Sequence, residues 1–331
     1  MAVYYLNMKI FGRAGGSSAA SASAYRAGER IRDERTGKTY DHSGRQDVMH
    51  KEIILPSRFA GQELAWARDR ARLWNTAESA ETRKNSRVAR EYLVALPMEL
   101  SPPQRLTLVR GFSQELSNRY GFAVDVAIHA PRDFPGSDPR NFHAHLLATT
   151  REVTREGLGA KTTLDMNDGN RQKLGLEPAI QELLHVRARW ATVTNEALKE
   201  ASIAARIDHR SLEAQGIDRE PRPQIPRAAF EMERQGYRSV VAEHLREDYQ
   251  SRVRARLERV AGREVPAAES NAAKPLSLED IRREAREEWL RLRQGQRQNQ
   301  SQGQCQGQSQ ASAKSVPAVA RDRVHDDDLA G

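Results

Sequence analysis

The feature that most constrains the fold is a pair of strand-like segments between residues 123 and 151. Residues 124–129 read VDVAIH and residues 142–147 read FHAHLL, so apolar side chains recur at every second position. A period of two is typical of strands that bury one face. The connection, residues 131–140, is rich in Pro, Gly and Asp, which favour turns. The segment therefore predicts two strands joined by a long hairpin loop.

Three histidines lie at the adjoining ends of these predicted strands: His129 ends the first strand, and His143 and His145 begin the second. Antiparallel pairing would bring the three imidazoles together, and nitrogen ligands lie about 2 Å from a bound metal ion. We therefore predict an open metal site that leaves positions for substrate oxygens. The alternative is that the histidines are structural. Asp125 shares the predicted face of His129, either as a residue that orients a ligand or as an ordinary strand carboxylate.

Composition favours a polyanionic partner. The chain has 53 Lys and Arg against 45 Asp and Glu, a net charge of +8, which favours nucleic acid over an acidic small substrate. A solvated basic surface gives the same totals. The hydrophobic content of 38% and aromatic content of 6% are low for 331 residues, so part of the chain is expected to be extended or disordered.

Several classes of protein are excluded by what the sequence lacks. The single cysteine, Cys305, cannot form an intramolecular disulfide or a cysteine-based zinc site. No apolar run approaches the roughly 18 residues of a membrane span, and the first residues do not follow a signal-peptide pattern. We predict a cytoplasmic protein with no membrane insertion.

Periodicity elsewhere predicts an α+β fold. Further strands are expected at 2–11, 50–55 and 91–97, helices at 61–81, 101–121 and 178–205, and a polar loop at 33–45. Strands and helices alternate before the histidine hairpin. This order predicts an antiparallel central sheet with flanking helices.

Tyr25 is the one large side chain in an Ala- and Ser-rich segment, residues 17–31. It has two interpretations, an aromatic that anchors the segment or a nucleophile. A phenol has a pKa near 10, so a nucleophilic tyrosine would need an activating cation nearby.

The chain divides into four parts: a domain at 1–205, a charged arm at 206–265, a helical segment at 266–293 and a Gln-rich disordered tail at 294–331. The arm is expected either to wrap the domain or to contact DNA. Ser277 followed by Asp280 indicates a capping box at the start of the helical segment.

Four blocks in this order resemble one family. They are AVYYLNMKIFGRAGGSSAASASAYRAGE, NSRVAREYLVALP, NFHAHLLATTR and RIDHRSLEAQGIDREP. Together, over about residues 1–220, they are similar to the MobA/MobL relaxases of mobilisable plasmids, also called the MobQ group. That group belongs to the HUH endonucleases, whose His-hydrophobe-His motif matches residues 143–145 here.

The resemblance implies a fold, a reaction and a set of site residues. Tyr25 matches the catalytic tyrosine, and His129, His143 and His145 match a triad that binds a divalent metal, Mg²⁺ or Mn²⁺. Glu91 matches a characteristic acidic position, either behind the metal ligands or simply at a strand edge. The implied reaction nicks one strand of single-stranded DNA at the plasmid origin of transfer and leaves a 5′-phosphotyrosine.

The resemblance also implies partners, namely accessory mobilization proteins and the coupling protein of a type IV secretion system. The Gln-rich tail is expected to be either a secretion signal or an inert linker. The alternatives are a replication initiator or transposase of the same superfamily, a non-catalytic DNA-binding accessory protein, and a metal-dependent hydrolase of small substrates. Tyr25 precedes the histidine pair, whereas initiators and transposases place the tyrosine after it, which argues against that alternative.

Overall fold

The computed structural model describes residues 2–16, 18–131, 138–261 and 277–307. The chain separates into two compact units, Met1–His209 and Arg210–Gly331. The first unit contains both segments that the sequence singled out, Tyr25 and the histidine hairpin.

The described part of the first unit contains nine strands, which are listed here in chain order: β1 (Leu6–Gly12), β2 (Arg30–Arg32), β3 (Thr39–Asp41), β4 (Val48–Ile54), β5 (Arg87–Ala95), β6 (Val124–His129), β7 (His143–Thr149), β8 (Arg151–Val153) and β9 (Leu158–Lys161). Five of them form one antiparallel sheet in the order β1-β5-β7-β6-β4. The other four form two small hairpins, β2–β3 and β8–β9. The prediction of an antiparallel central sheet is confirmed.

Six α-helices are described in the same unit: α1 (Ala19–Ala27), α2 (Ala65–Arg68), α3 (Arg70–Ser79), α4 (Pro102–Tyr120), α5 (Asp168–Lys173) and α6 (Ala179–Glu200). The single helix predicted at 61–81 is two helices. Asp69 separates them, because its side chain accepts a hydrogen bond from the Arg72 N–H at 2.9 Å and begins α3. Helix α4 has the predicted boundaries, with Pro102 as its first residue and Gly121 in the left-handed conformation after its end.

The two faces of the sheet pack against different helices. Val126 and Leu146 are paired across β6 and β7, and they lie in one core with Phe112 of α4 and Trp190 of α6. The rings of Phe112 and Trp190 are 5.0 Å apart between centroids. On the opposite face, the core combines residues of α1, α3 and the sheet. Because side chains alternate along a strand, the histidines of β6 and β7 lie on the face that packs against α1 and α3.

A hairpin occupies part of the segment predicted as a polar loop at 33–45. The Asp33 N–H donates to the Lys38 carbonyl at 2.8 Å and closes a short turn. Strands β2 and β3 then pair, with Ile31 opposite Tyr40. The loop prediction is wrong over β3, because each of these three-residue strands has only one inward-facing apolar residue, Ile31 or Tyr40, and so short a segment shows no repeating pattern.

The second unit contains three described helices: α7 (Arg227–Arg234), α8 (Val240–Val260) and α9 (Leu278–Gly307). Three small residues, Ala229, Ala242 and Ala285, form its core. Glu288 of α9 accepts a hydrogen bond from the Val240 N–H at 2.7 Å, at the start of α8. Ser277 accepts one from the Asp280 N–H at 3.1 Å, as the predicted cap requires.

The C-terminal half differs from the predicted division. The segment predicted as a charged arm, 206–265, is irregular from 206 to 226 and then forms α7 and α8. The predicted tail begins at 294, whereas α9 continues to Gly307, because Gln and Arg are good helix formers. Residues 262–276 and 308–331 of the predicted segments lie outside the described residues. None of the described helices is both long and apolar enough to cross a membrane.

Candidate functional site

The three histidines of the predicted hairpin lie together. His129 pairs directly with His143 across β6 and β7, and His145 is the next residue of β7 on the same face. All three are buried, and one ligand nitrogen from each lies within 4.8 Å of the others. Their ring centroids are 4.7 to 5.3 Å apart. A single ion would be in reach of all three nitrogens after small ring rotations.

The two histidines of β7 each use Nδ1 to hold the ring in place. Nδ1 of His145 lies 2.7 Å from Oε1 of Glu91, and Nδ1 of His143 lies 3.0 Å from the carbonyl oxygen of Asn141. A carboxylate and a carbonyl can only accept, so both Nδ1 atoms carry the proton. The lone pair is then on Nε2, the nitrogen available to a metal ion.

His129 has the opposite tautomer. Its Nε2 donates to the carbonyl oxygen of Arg26 at 2.7 Å, so the lone pair is on Nδ1. Burial, followed by the neighbouring histidines and Arg45, lowers the pKa of His129 to about 3. The ring is therefore neutral at physiological pH. Neutral imidazoles with their second nitrogen hydrogen-bonded are the donors that a divalent metal site uses, so the residues fit such an ion.

Glu91, on β5, connects the triad to α1. Its carboxylate accepts a hydrogen bond from Nη2 of Arg26 at 2.9 Å and a second from Nε of the same guanidinium, besides the contact with His145. Burial would raise the pKa of Glu91, but Arg26 and His145 outweigh it and hold the pKa far below its usual value. The carboxylate is therefore charged, and it fixes both the His145 ring and the residue that follows Tyr25.

Tyr25 lies on α1, and only 5% of its surface is exposed. The guanidinium carbon of Arg45 lies 4.1 Å from the centre of its ring, and the His42 ring meets it edge-on with centroids 5.2 Å apart. Nη2 of Arg45 lies 3.3 Å from Nδ1 of His129. The centre of the Tyr25 ring is thus within about 9 Å of that nitrogen. The structure places Tyr25 beside the triad, although the two are 104 positions apart in the chain.

The small residues of α1 permit this approach. Ala19, Ala20 and Ala24 are completely buried, so the helix backbone lies close to its neighbours. The helix begins at Ser18, whose Oγ accepts from the Ser21 N–H at 3.2 Å. It ends at Gly28, which has a positive φ of 58° and packs so closely that an added Cβ would lie 3.2 Å from a methyl group of Val48. Only glycine adopts this conformation without strain.

Asp125 has a different environment from the one the sequence suggested. Its carboxylate accepts hydrogen bonds from Ser23 Oγ at 2.8 Å, Trp74 Nε1 at 2.8 Å and Arg70 Nε at 3.0 Å. It shares a face with His129 but lies four residues away, about 13 Å along the strand. These contacts join α1 and α3 to the sheet, and they do not match the predicted role of orienting a ligand.

Several residues at the site were not singled out from the sequence. They are Arg26, His42, Arg45, Asp47 and Asn141. Arg26 directly follows Tyr25 and Asn141 lies two residues before His143, so both could have been found by their proximity in sequence. The other three lie in or just after the loop predicted at 33–45, where nothing distinguishes them from other polar loop residues.

Comparisons with known proteins identify relatives over most of the first unit. The MobA/MobL family model matches residues 17–235. The mobilization protein MobL of Acidithiobacillus ferridurans is 35% identical over 289 residues, which cover 82% of this chain and 73% of that protein. The 43 kDa relaxation protein of Salmonella typhimurium is 34% identical over 234 residues. This match covers 66% of the present chain and 57% of that protein.

Among solved structures, a chain described under "Molecular Basis of Vancomycin Resistance Transfer in Staphylococcus aureus" has a TM-score of 0.49 and 28% sequence identity. The match covers 63% of this chain and 100% of that one. The family model covers more than half of the present sequence, and it includes Tyr25 and all three histidines. This chain therefore belongs to the MobA/MobL family.

Proposed function

We propose that this protein is a relaxase that nicks one DNA strand at a plasmid origin of transfer, with Tyr25 as the nucleophile. The observation that carries the proposal is the position of Tyr25 beside three convergent histidines on a helix that is joined to them through Arg26. The name of the Salmonella relative, a relaxation protein, agrees with this activity. The net charge of +8 suits a polyanionic substrate.

The reaction is a transesterification. The Tyr25 oxygen attacks the scissile phosphorus as its phenolic proton leaves, and the bond from phosphorus to the 3′ oxygen breaks. The departing oxygen takes up a proton and becomes a 3′-hydroxyl, while the 5′ side remains joined to Tyr25 as a phosphotyrosine. One phosphoester bond replaces another, so the strand can be rejoined by the reverse reaction.

His129, His143 and His145 would hold a divalent ion, Mg²⁺ or Mn²⁺. Such an ion, when bound, polarises a phosphate oxygen and stabilises the negative charge of the transition state. The protein's own contribution is to keep each lone pair directed inward. Glu91 does this for His145 by holding the proton on Nδ1, and the carbonyl of Asn141 does it for His143.

The substrate would be single-stranded DNA, which basic and aromatic side chains bind without a preformed duplex. Transfer of the nicked strand would further involve accessory mobilization proteins and a type IV secretion coupling protein. The proposal of these partners rests on membership of the family.

The test is cleavage of labelled single-stranded oligonucleotides that cover the origin of transfer, with Mn²⁺ or with a chelator. Wild type is compared with Tyr25→Phe and with a matched control, Tyr249→Phe, which changes a tyrosine of α8 in the second unit. We expect a covalent protein–DNA band on a denaturing gel that requires both Mn²⁺ and Tyr25 and persists in Tyr249→Phe. Binding of the cognate strand without cleavage by any divalent metal would instead indicate a non-catalytic DNA-binding protein.

A further inference from the structure

Arg45 is the side chain that lies between Tyr25 and the histidine triad. Its guanidinium carbon is 4.1 Å from the centre of the Tyr25 ring, and its Nη1 donates to the Tyr25 carbonyl at 3.0 Å. On the other side, its Nη2 is 3.3 Å from Nδ1 of His129. One planar group therefore contacts both the proposed nucleophile and a proposed metal ligand.

The guanidinium is held in this place by Asp47. Nε of Arg45 donates to one carboxylate oxygen at 2.9 Å and Nη2 to the other at 2.5 Å, a fork that fixes the plane of the group. Asp47 is itself fixed, because its carbonyl accepts a hydrogen bond from the Ala130 N–H at 2.8 Å, directly after His129. Both side chains are mostly buried, with 10% and 14% exposed. Solvent therefore competes little with this pair.

The nitrogen of His129 that Arg45 contacts is the one that carries the lone pair. Nε2 is occupied as a donor to the Arg26 carbonyl, so a metal ion can bind His129 only through Nδ1. An ion and the Nη2 proton cannot share one lone pair. The cationic guanidinium also repels a divalent ion a few ångströms away.

We propose that Arg45 is a positioning residue, which keeps Tyr25 beside the triad and whose guanidinium must leave Nδ1 of His129 when a divalent ion binds. The first part of this inference, the positioning of Tyr25, rests on the proposed nicking activity, whereas the second part, the competition at His129, does not. The contact with His129 exists without DNA, so metal binding tests the second part independently.

The first experiment measures Mn²⁺ affinity without DNA, from the electron paramagnetic resonance signal of free Mn²⁺. Arg45→Gln removes the competing donor and the positive charge, and we expect Mn²⁺ to bind about tenfold more tightly. A merely structural role would have the opposite effect, because a distorted site binds metal less well. The matched control is Arg189→Gln, which breaks a two-bond pair with Glu115 between α6 and α4, on the other side of the sheet.

A double variant separates the effects of the Arg45 and Asp47 charges on Mn²⁺ binding. Arg45→Gln leaves the Asp47 carboxylate unpaired, and that negative charge would itself attract a cation. Arg45→Gln combined with Asp47→Asn removes both charges, and we expect it to retain the tighter binding. Loss of the effect in the double variant would assign it to Asp47 and overturn the proposed competition at His129.

The second experiment measures single-turnover cleavage of the origin oligonucleotide at saturating Mn²⁺. We expect Arg45→Gln to cleave about a hundredfold more slowly, with less than tenfold weaker binding of the strand, because a misplaced nucleophile slows the chemical step more than binding. Arg45→Lys keeps the charge but lacks the planar fork, so its rate should remain close to that of Arg45→Gln.

The outcomes separate the two proposals. Unchanged or weaker Mn²⁺ binding by Arg45→Gln, at an unchanged melting temperature, would overturn the competition whatever the cleavage result. A wild-type cleavage rate in Arg45→Gln would overturn the positioning role. If the wild type does not cleave at all, the nicking activity and the positioning role fail together, while the Mn²⁺ measurement still decides the contact with His129.

Discussion

Replacing Glu91 by Gln tests how the site is supported. Glu91 and Arg26 form a buried ion pair in which 4% and 6% of the side chains are exposed. The amide keeps an oxygen for His145 but removes the charge opposite Arg26. Breaking a buried pair from one side costs about 3–5 kcal/mol, because it leaves the other charge uncompensated. The remaining amide hydrogen bond places our expectation at the lower end, about 3 kcal/mol.

That loss is large but tolerable for a domain whose total stability is about 5–15 kcal/mol, so the variant should fold. The effect on the metal is separate. A residue that orients a metal ligand typically contributes about 10- to 100-fold to metal affinity, and we expect Mn²⁺ to bind Glu91→Gln more weakly by a factor in this range.

The two effects are measured by urea denaturation and by titration with Mn²⁺. The matched control is Glu115→Gln, which breaks a solvent-exposed pair with Arg189 and should change the free energy of unfolding by less than about 1 kcal/mol. An unfolding free energy of Glu91→Gln within about 0.5 kcal/mol of wild type, together with unchanged Mn²⁺ affinity, would refute the role assigned to Glu91.

Three further changes should have effects of known sign. Asp125→Ala removes the acceptor for two buried donors, Ser23 Oγ and Trp74 Nε1, and for the part-buried Arg70 Nε. It should lower the free energy of unfolding by about 3 kcal/mol in urea denaturation, and no loss would mean that water replaces the carboxylate. Gly28→Ala places a methyl group against Val48 at a residue whose φ is 58°. It should lower the free energy of unfolding by about 1–2 kcal/mol in the same measurement. A gain in stability would show that the backbone relaxes. Burial would raise the pKa of Glu81, but Lys161 and Arg151 lower it below its usual value. The stability that this group contributes is therefore present above its unfolded pKa of about 4.3 and is lost as the pH falls below it. Denaturation at several pH values should show wild type more stable than Glu81→Gln at pH 7, with the difference shrinking below about pH 4; a constant difference would exclude the charge as its cause.

The sequence predicted the triad because a period of two is a local signal. The alternation of residues 124–129 and 142–147 defined both the strands and their faces, and His129 met His143 as antiparallel pairing required. The resemblance to the family, confirmed by the family model, supplied Tyr25 and Glu91 as candidates. The structure adds their contacts with Arg45, Arg26 and His145.

Other contacts could not be predicted, because they depend on how distant elements pack. Arg45 reaches His129 only because the segment before β4 lies beside the end of β6. No sequence pattern indicates that these two segments are neighbours. Asp125 shares the face of His129, as the period of two predicts, but no sequence pattern shows that donors of α1 and α3 contact its carboxylate. Helices α7 and α8 were not predicted, because charged residues dominate their sequences and little apolar periodicity remains.

Arg26 has a consequence for how the protein can respond to its substrate. Its carbonyl holds His129, and its guanidinium holds the carboxylate that orients His145, while Tyr25 precedes it on the same helix. If the proposed DNA substrate displaced α1, it would therefore turn two imidazoles as it moved the phenol of Tyr25. The position of the proposed nucleophile and the orientation of two proposed metal ligands are therefore coupled in this molecule, and a shift of α1 would disturb them together.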